Sequence, residues 1–255
     1  MTRPFFAFFI ATLAFAQPPA APAKPSAAPA KPAEAPWTKK NALGEPDLSG
    51  VWQQRFRDKN GRPVVGLDLA DFADIPYQPW SKEKHAYNKT PQGQSADPET
   101  ACLPAGVPRA TGLPYPFRLM QSPGLIAMLL EGNVHSYRLI FMNQTHPKDV
   151  QPSWMGHSIG HWEGDTLVVD TVGFNDKTWL DPGGHVHTEQ LHTTERFTRE
   201  TETGLRYEFT IDDPGAYTKP WGWNYVLEGH PDWEIIEYVC NENNRDLDHL
   251  VQGPK

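Results

Sequence analysis

The chain of 255 residues has only two cysteines, and they are not at Cys-x-x-Cys spacing. That excludes a cysteine-based zinc or dithiol motif. No block of clustered Lys or Arg is present and the formal net charge is −8, so the electrostatic footprint of a nucleic-acid binder is missing. Gly-rich phosphate loops, Gly-x-Ser-x-Gly elbows and His-Glu-x-x-His stretches are absent as well. Ser158, within Gly156-His157-Ser158-Ile159-Gly160, lacks the strand-to-helix setting of a nucleophile elbow and reads as a strand residue. The apolar run Phe5–Ala16 has about twelve residues where a bilayer-spanning helix needs about 20. The mature protein is therefore expected to have no membrane span.

What is present at the N-terminus fits export. Met1-Thr2-Arg3 is a short positive start, the apolar run follows, and Ala14-Phe15-Ala16 has the small-x-small pattern of a cleavage site. Residues 1–16 read as a secretory signal peptide cut after Ala16, which predicts a periplasmic or secreted protein. The cut removes only Arg3 and moves the net charge from −8 to −9. Residues 17–40 form a Pro/Ala-rich linker. Residues 41–255 are read as a single β-barrel domain, with 41–116 as a loop-rich arm that wraps it. In an oxidising compartment Cys102 and Cys240 read as one long-range disulfide, with two buried free thiols as the alternative.

The stretch Trp154–Arg199 is the part around which the rest is organised. It carries His157, His161, His185, His187 and His192, three tryptophans and two strong turn signals. Three strands are predicted here: His157 to Trp162, Thr166 to Phe174 after a Gly-Asp turn, and Thr188 to Arg199. The second is rich in β-branched residues, as a pleated, half-buried surface requires. Further strands are predicted over 117–121, 124–130, 134–142, 205–211, 221–228 and 234–240, and a short helix over 80–87 after Pro79. Asn243 to Gln252 is read as a short helical tail. Leu48-Ser49-Gly50-Val51-Trp52 resembles the first strand of lipocalin-like barrels, where the Trp plugs one end. The expected fold is an all-β, antiparallel, lipocalin-like up-and-down barrel.

Side chains alternate between the faces of a strand. By this parity Arg138 shares a face with Ile140 and Met142, Glu195 with Thr193 and Phe197, and Glu237 with Ile235 and Val239. If those faces point inward, a guanidinium and two carboxylates meet in the interior, because charges are almost never buried unpaired. If these strands are two-sided at the rim, the charges are solvated instead. His185, His187 and Glu189 at i, i+2 and i+4 are geometrically adequate for a metal. His146 lies on a loop just past the Arg138 strand, either as a working residue or as a structural one.

The combination Trp154–Val169, Glu189–Phe197, Asp213–Trp221 and Glu237–Asn243 (WMGHSIGHWEGDTLVV, EQLHTTERF, DPGAYTKPW and EYVCNEN) resembles a family of exported soil-bacterial proteins. The resemblance spans roughly residues 47–255. It implies an exported protein and carries no activity with it. It implies that Glu189, His192, Glu195, Arg196 and Glu237 occupy family positions whereas His185 and His187 do not, which disfavours the His185/His187 metal site.

Two functions are compatible with these features. The first is a metal- and cofactor-independent acid/base enzyme, a hydrolase, lyase or isomerase, acting on a small organic substrate in a polar-centred cavity. Its catalytic candidates are Arg138, His146, Glu195 and Glu237. Trp154, His157, Trp162, Glu189, His192 and Trp221 are the ligand-binding candidates. The second is a lipocalin-like protein that binds a small molecule in the same cavity without chemistry.

Overall fold

The computed structural model describes residues 34–54, 56, 68–71, 73–132, 136–240 and 242. The expected signal peptide, most of the expected linker and the expected C-terminal helix lie outside the described residues. Nine strands close into one barrel in chain order: β1 (Gly50–Gln53), β2 (Phe117–Ser122), β3 (Leu125–Leu130), β4 (Tyr137–Met142), β5 (His157–Glu163), β6 (Thr166–Val172), β7 (His192–Arg199), β8 (Gly204–Asp212) and β9 (Trp221–Gly229). β9 pairs back onto β1, so the sheet has no unpaired edge.

The barrel is mixed, not purely antiparallel. β4 and β5 run parallel, with Ile140 opposite Ser158 and Met142 opposite Gly160. The reason is in the spacing. Hairpins turn within two to five residues, whereas parallel neighbours need a crossover of about a dozen or more. The fourteen residues 143–156 supply it. Gly160 lets the two strands approach: a Cβ there would come within 2.8 Å of Ile140 Cγ2 and 2.9 Å of Met142 Sδ.

A second correction concerns the last predicted strand. Residues 234–240 are irregular, and Glu237 is exposed on that segment instead of facing the interior. Cys240 nevertheless bonds to Cys102, 138 residues away in sequence, tying this segment to the arm. The arm itself contains the helices α1 (Pro79–Asn88), α2 (Pro91–Gln94) and α3 (Arg109–Gly112). Buried Arg109 fastens it internally, donating to both Asp97 oxygens at 2.9 and 2.7 Å and to Glu99 at 2.7 Å.

The strand directions give the barrel two unlike ends. Tight turns join β2 to β3, β5 to β6 and β7 to β8 at one end. The arm, the β3–β4 and β8–β9 connections and the long β6–β7 connection gather at the other. Trp52 is buried, donating its indole N–H to Leu48 O at 2.9 Å. Inward positions are filled by Phe117, Leu119, Ile126, Met128, Ile140, Leu167, Val169, Phe197, Leu205, Tyr207 and Ile211, each at most 2% exposed. Where the arm meets the barrel, a crevice lined by Leu69, Pro108, Leu180 and Phe209 has about 10 Å³ of free volume, room for about one water.

Candidate functional site

Arg138 and Glu195 do meet inside the barrel, as parity predicts. Arg138 Nη1 donates to Glu195 Oε1 at 3.0 Å, and Nη2 donates to Glu195 Oε2. The guanidinium also donates to Ser158 Oγ at 2.9 Å and Thr171 Oγ1 at 2.8 Å. Tyr207 Oη donates to Glu195 Oε1 at 2.7 Å. Burial, with the Glu195 charge beside it, holds the Tyr207 phenol well above its ordinary range, so it remains a donor. Arg138 is 2% exposed and Glu195 0%. The network is satisfied by its own members and has no face toward solvent.

A different group of predicted residues converges on the outer wall, at the end of the barrel that carries the long connections. Asp170, on β6 between inward-facing Val169 and Thr171, points outward. His146 Nε2 donates to Asp170 Oδ1 at 2.8 Å and His192 Nε2 donates to Oδ2 at 2.5 Å. His146 Nδ1 lies 2.8 Å from His157 Nδ1. With Nε2–H of His146 directed to Asp170, its Nδ1 is placed to accept from His157 Nδ1–H. This leaves the Nε2 lone pair of His157 and the Nδ1 lone pair of His192 open. His157 also stacks on Phe141, ring centroids 5.3 Å apart.

The electrostatics suit this arrangement. Burial and the neighbouring His146 hold His157 below the ordinary imidazole range, so it is neutral at pH 7. At Asp170, burial pushes the carboxyl upward, but hydrogen bonds from His192 and His146 outweigh it and hold the group below its usual value. The His192 side chain is 41% exposed and that of His146 19%.

The other predicted residues are dispersed. Trp154 is half-buried on the crossover, and Trp162 is half-buried with its indole nitrogen lacking a hydrogen-bond partner. Glu189 is exposed. His187 Nε2 pairs with Thr178 Oγ1 at 2.6 Å, so His185, His187 and Glu189 do not form one site. Trp221 is buried beside Tyr217, in a separate polar cluster with His185.

In that cluster His185 Nδ1 donates to Asp181 Oδ2 at 2.8 Å, and Tyr77 Oη lies 2.5 Å from His185 Nε2 and 3.2 Å from His85 Nδ1. Asp68 Oδ1 is 3.5 Å from His85 Nε2, and Lys89 Nζ pairs with Asp68 Oδ2. Asp170, Asp68, His85, Tyr77 and Asp181 were not sequence candidates. For Asp170 the signal was available, a lone carboxylate within a β-branched strand. The rest come together only through the fold of the arm. Comparison with protein-family models, curated proteins and solved structures finds no match.

Proposed function

We propose that this is an exported β-barrel enzyme performing general acid–base chemistry on a small organic molecule at the His157–His146–Asp170–His192 cluster. The observation that carries the reading is a single partly exposed carboxylate holding two imidazoles, one of which orients a third. A base held by a second group, itself held by an acid, is the recurring architecture of proton transfer. His157 acts as the base through Nε2. His146 takes up the proton density on the other side of the ring, and Asp170 stabilises the resulting imidazolium. His192 exchanges a proton with the leaving or rearranging group.

In this reading Arg138 and Glu195 hold the barrel wall together and do not touch substrate. The reaction class is hydrolysis, elimination or isomerisation. The test is turnover of a panel of small esters, lactones and α-protonated carbonyl compounds by the full chain and by Asp170→Asn and His157→Gln. A positioned general acid or base contributes about 10²- to 10⁴-fold, and each variant should lose that much with its circular dichroism unchanged. Turnover retained in Asp170→Asn would overturn the proposal. A protein that turns over nothing on the panel but keeps an organic molecule through purification would assign the cluster to binding instead.

A further inference from the structure

The polar cluster between the arm and the β6–β7 connection contains a proton-bookkeeping conflict. His185 Nδ1–H is committed to Asp181, which leaves Nε2 to accept the Tyr77 hydroxyl proton. Tyr77 Oη then accepts from His85 Nδ1–H, which leaves His85 Nε2 as a bare lone pair. Among the described residues that nitrogen has no hydrogen-bond partner, and its residue is 8% exposed. What it faces, 3.5 Å away, is Asp68 Oδ1, a second acceptor. Asp68 Oδ1 already holds the Ala70 N–H at 2.9 Å, but the buried His85 Nε2 beside it loses its hydration and gains nothing in return. A cation between them resolves the conflict.

We infer that Asp68, His85 and His185 bind a divalent first-row transition ion of the zinc class, with Asp181, whose Oδ2 lies 2.8 Å from His185 Nδ1, moving in as the fourth ligand. Two imidazole nitrogens and carboxylate oxygens are a donor set such ions accept. One ligand atom from each of Asp68, His85 and His185 lies within 4.8 Å of the other two. Asp68 Oδ1 is 3.5 Å from His85 Nε2 and 3.8 Å from His185 Nδ1. A tetrahedron with metal–ligand bonds of about 2.1 Å has edges of roughly 3.4 Å, so the two edges to Asp68 are within a few tenths of an ångström of closure, and the stacked His85 and His185 rings, centroids 3.8 Å apart, tilt to aim both nitrogens at one ion. Tyr77 already sits on the two remaining imidazole nitrogens, the position of the outer partner that orients histidine ligands. Loading moves the His185 proton from Nδ1 to Nε2, and the Tyr77 hydroxyl, which donated to that nitrogen, turns its own hydrogen away and accepts from it instead.

The site is closed. Asp68, His85, Asp181 and His185 are at most 8% exposed, which suits a structural ion more than a catalytic one. Its ligands come from the arm and from the β6–β7 connection, so the ion staples one to the other. It is separate from the rim histidines and does not depend on the function proposed for them.

The experiment uses the full chain, stripped with a chelator, then given Zn²⁺ or Co²⁺ alone. Expected are one ion per chain by elemental analysis, a melting temperature that rises with added Zn²⁺, and the visible absorption of four-coordinate Co²⁺. His85→Gln and Asp68→Asn should abolish the Co²⁺ spectrum, while Tyr77→Phe should weaken affinity by about 10- to 100-fold. His192→Gln should leave binding unchanged. The inference is overturned if the stripped wild type takes up no ion at saturating Zn²⁺ and Co²⁺, a result that needs no variant to fold. It is equally overturned if His85→Gln still binds stoichiometrically while His192→Gln does not.

Discussion

At the scale of single residues, the two polar groups on β6 and β7 show how one residue of register separates structure from chemistry. Glu195 faces inward and is completely buried, whereas Asp170 faces outward and is shared by two histidines. Removing one partner of the interior pair strands the other, so Glu195→Gln or Arg138→Ala should cost about 3–5 kcal/mol in chemical denaturation. Replacing both with apolar residues of matched volume should recover most of that loss. His157 gives a signed pH dependence. Its folded-state pKa is lowered, so the unfolded chain binds the proton more readily and this contribution to stability is present at pH 7. It is lost as pH falls below the ordinary imidazole range. Thermal melts between pH 7.5 and 5 should show the decline, and His157→Gln should lessen it, leaving the share of His85 and His187, which burial also holds below the ordinary imidazole range. Parity made Arg138 and Glu195 legible because both strands are regular. Glu237 was misplaced because an alternating pattern alone does not make a strand when no neighbour is there to pair with it.

Individual elements carry the next level of consequence. The parallel β4–β5 pair is what allows residues 143–156 to travel back along the barrel, bringing His146 beside His157 and Asp170. The length of that segment was visible in the sequence, but its meaning depended on pairing that no local pattern states. The pair has little spare room at Gly160. Gly160→Val should therefore destabilise the protein by about 1–3 kcal/mol through overpacking, measurable as a lower denaturation midpoint with an unchanged slope. The antiparallel hairpins were legible because their turn residues and β-branched runs act over a few positions. The contacts of Asp68 and His85 with His185 join residues about a hundred positions apart through an irregular arm, where periodicity carries no information.

For the molecule as a whole, the Cys102–Cys240 bond closes a loop of 138 residues that contains all but the first strand of the barrel. On the chain-entropy account, removing such a cross-link costs about 5 kcal/mol at 25 °C. A Cys102→Ser/Cys240→Ser double variant should lose stability on that scale, read from denaturant melts against the oxidised wild type. The disulfide was legible, since two distant cysteines behind an expected export signal read as one long-range bond. The barrel's unlike ends were not, because strand direction emerges only after closure. Those ends have a practical consequence. Trp37 N–H donates to Glu200 O at 2.8 Å and Glu34 accepts from Thr203, so the chain enters the barrel at its tight-turn end. Asp170 and its histidines lie at the opposite end. Immobilisation through the exposed Lys39 side chain at the tight-turn end thus has a built-in polarity: a sensor surface coupled there would present the imidazole cluster outward, and coupling through the long-loop end would bury it.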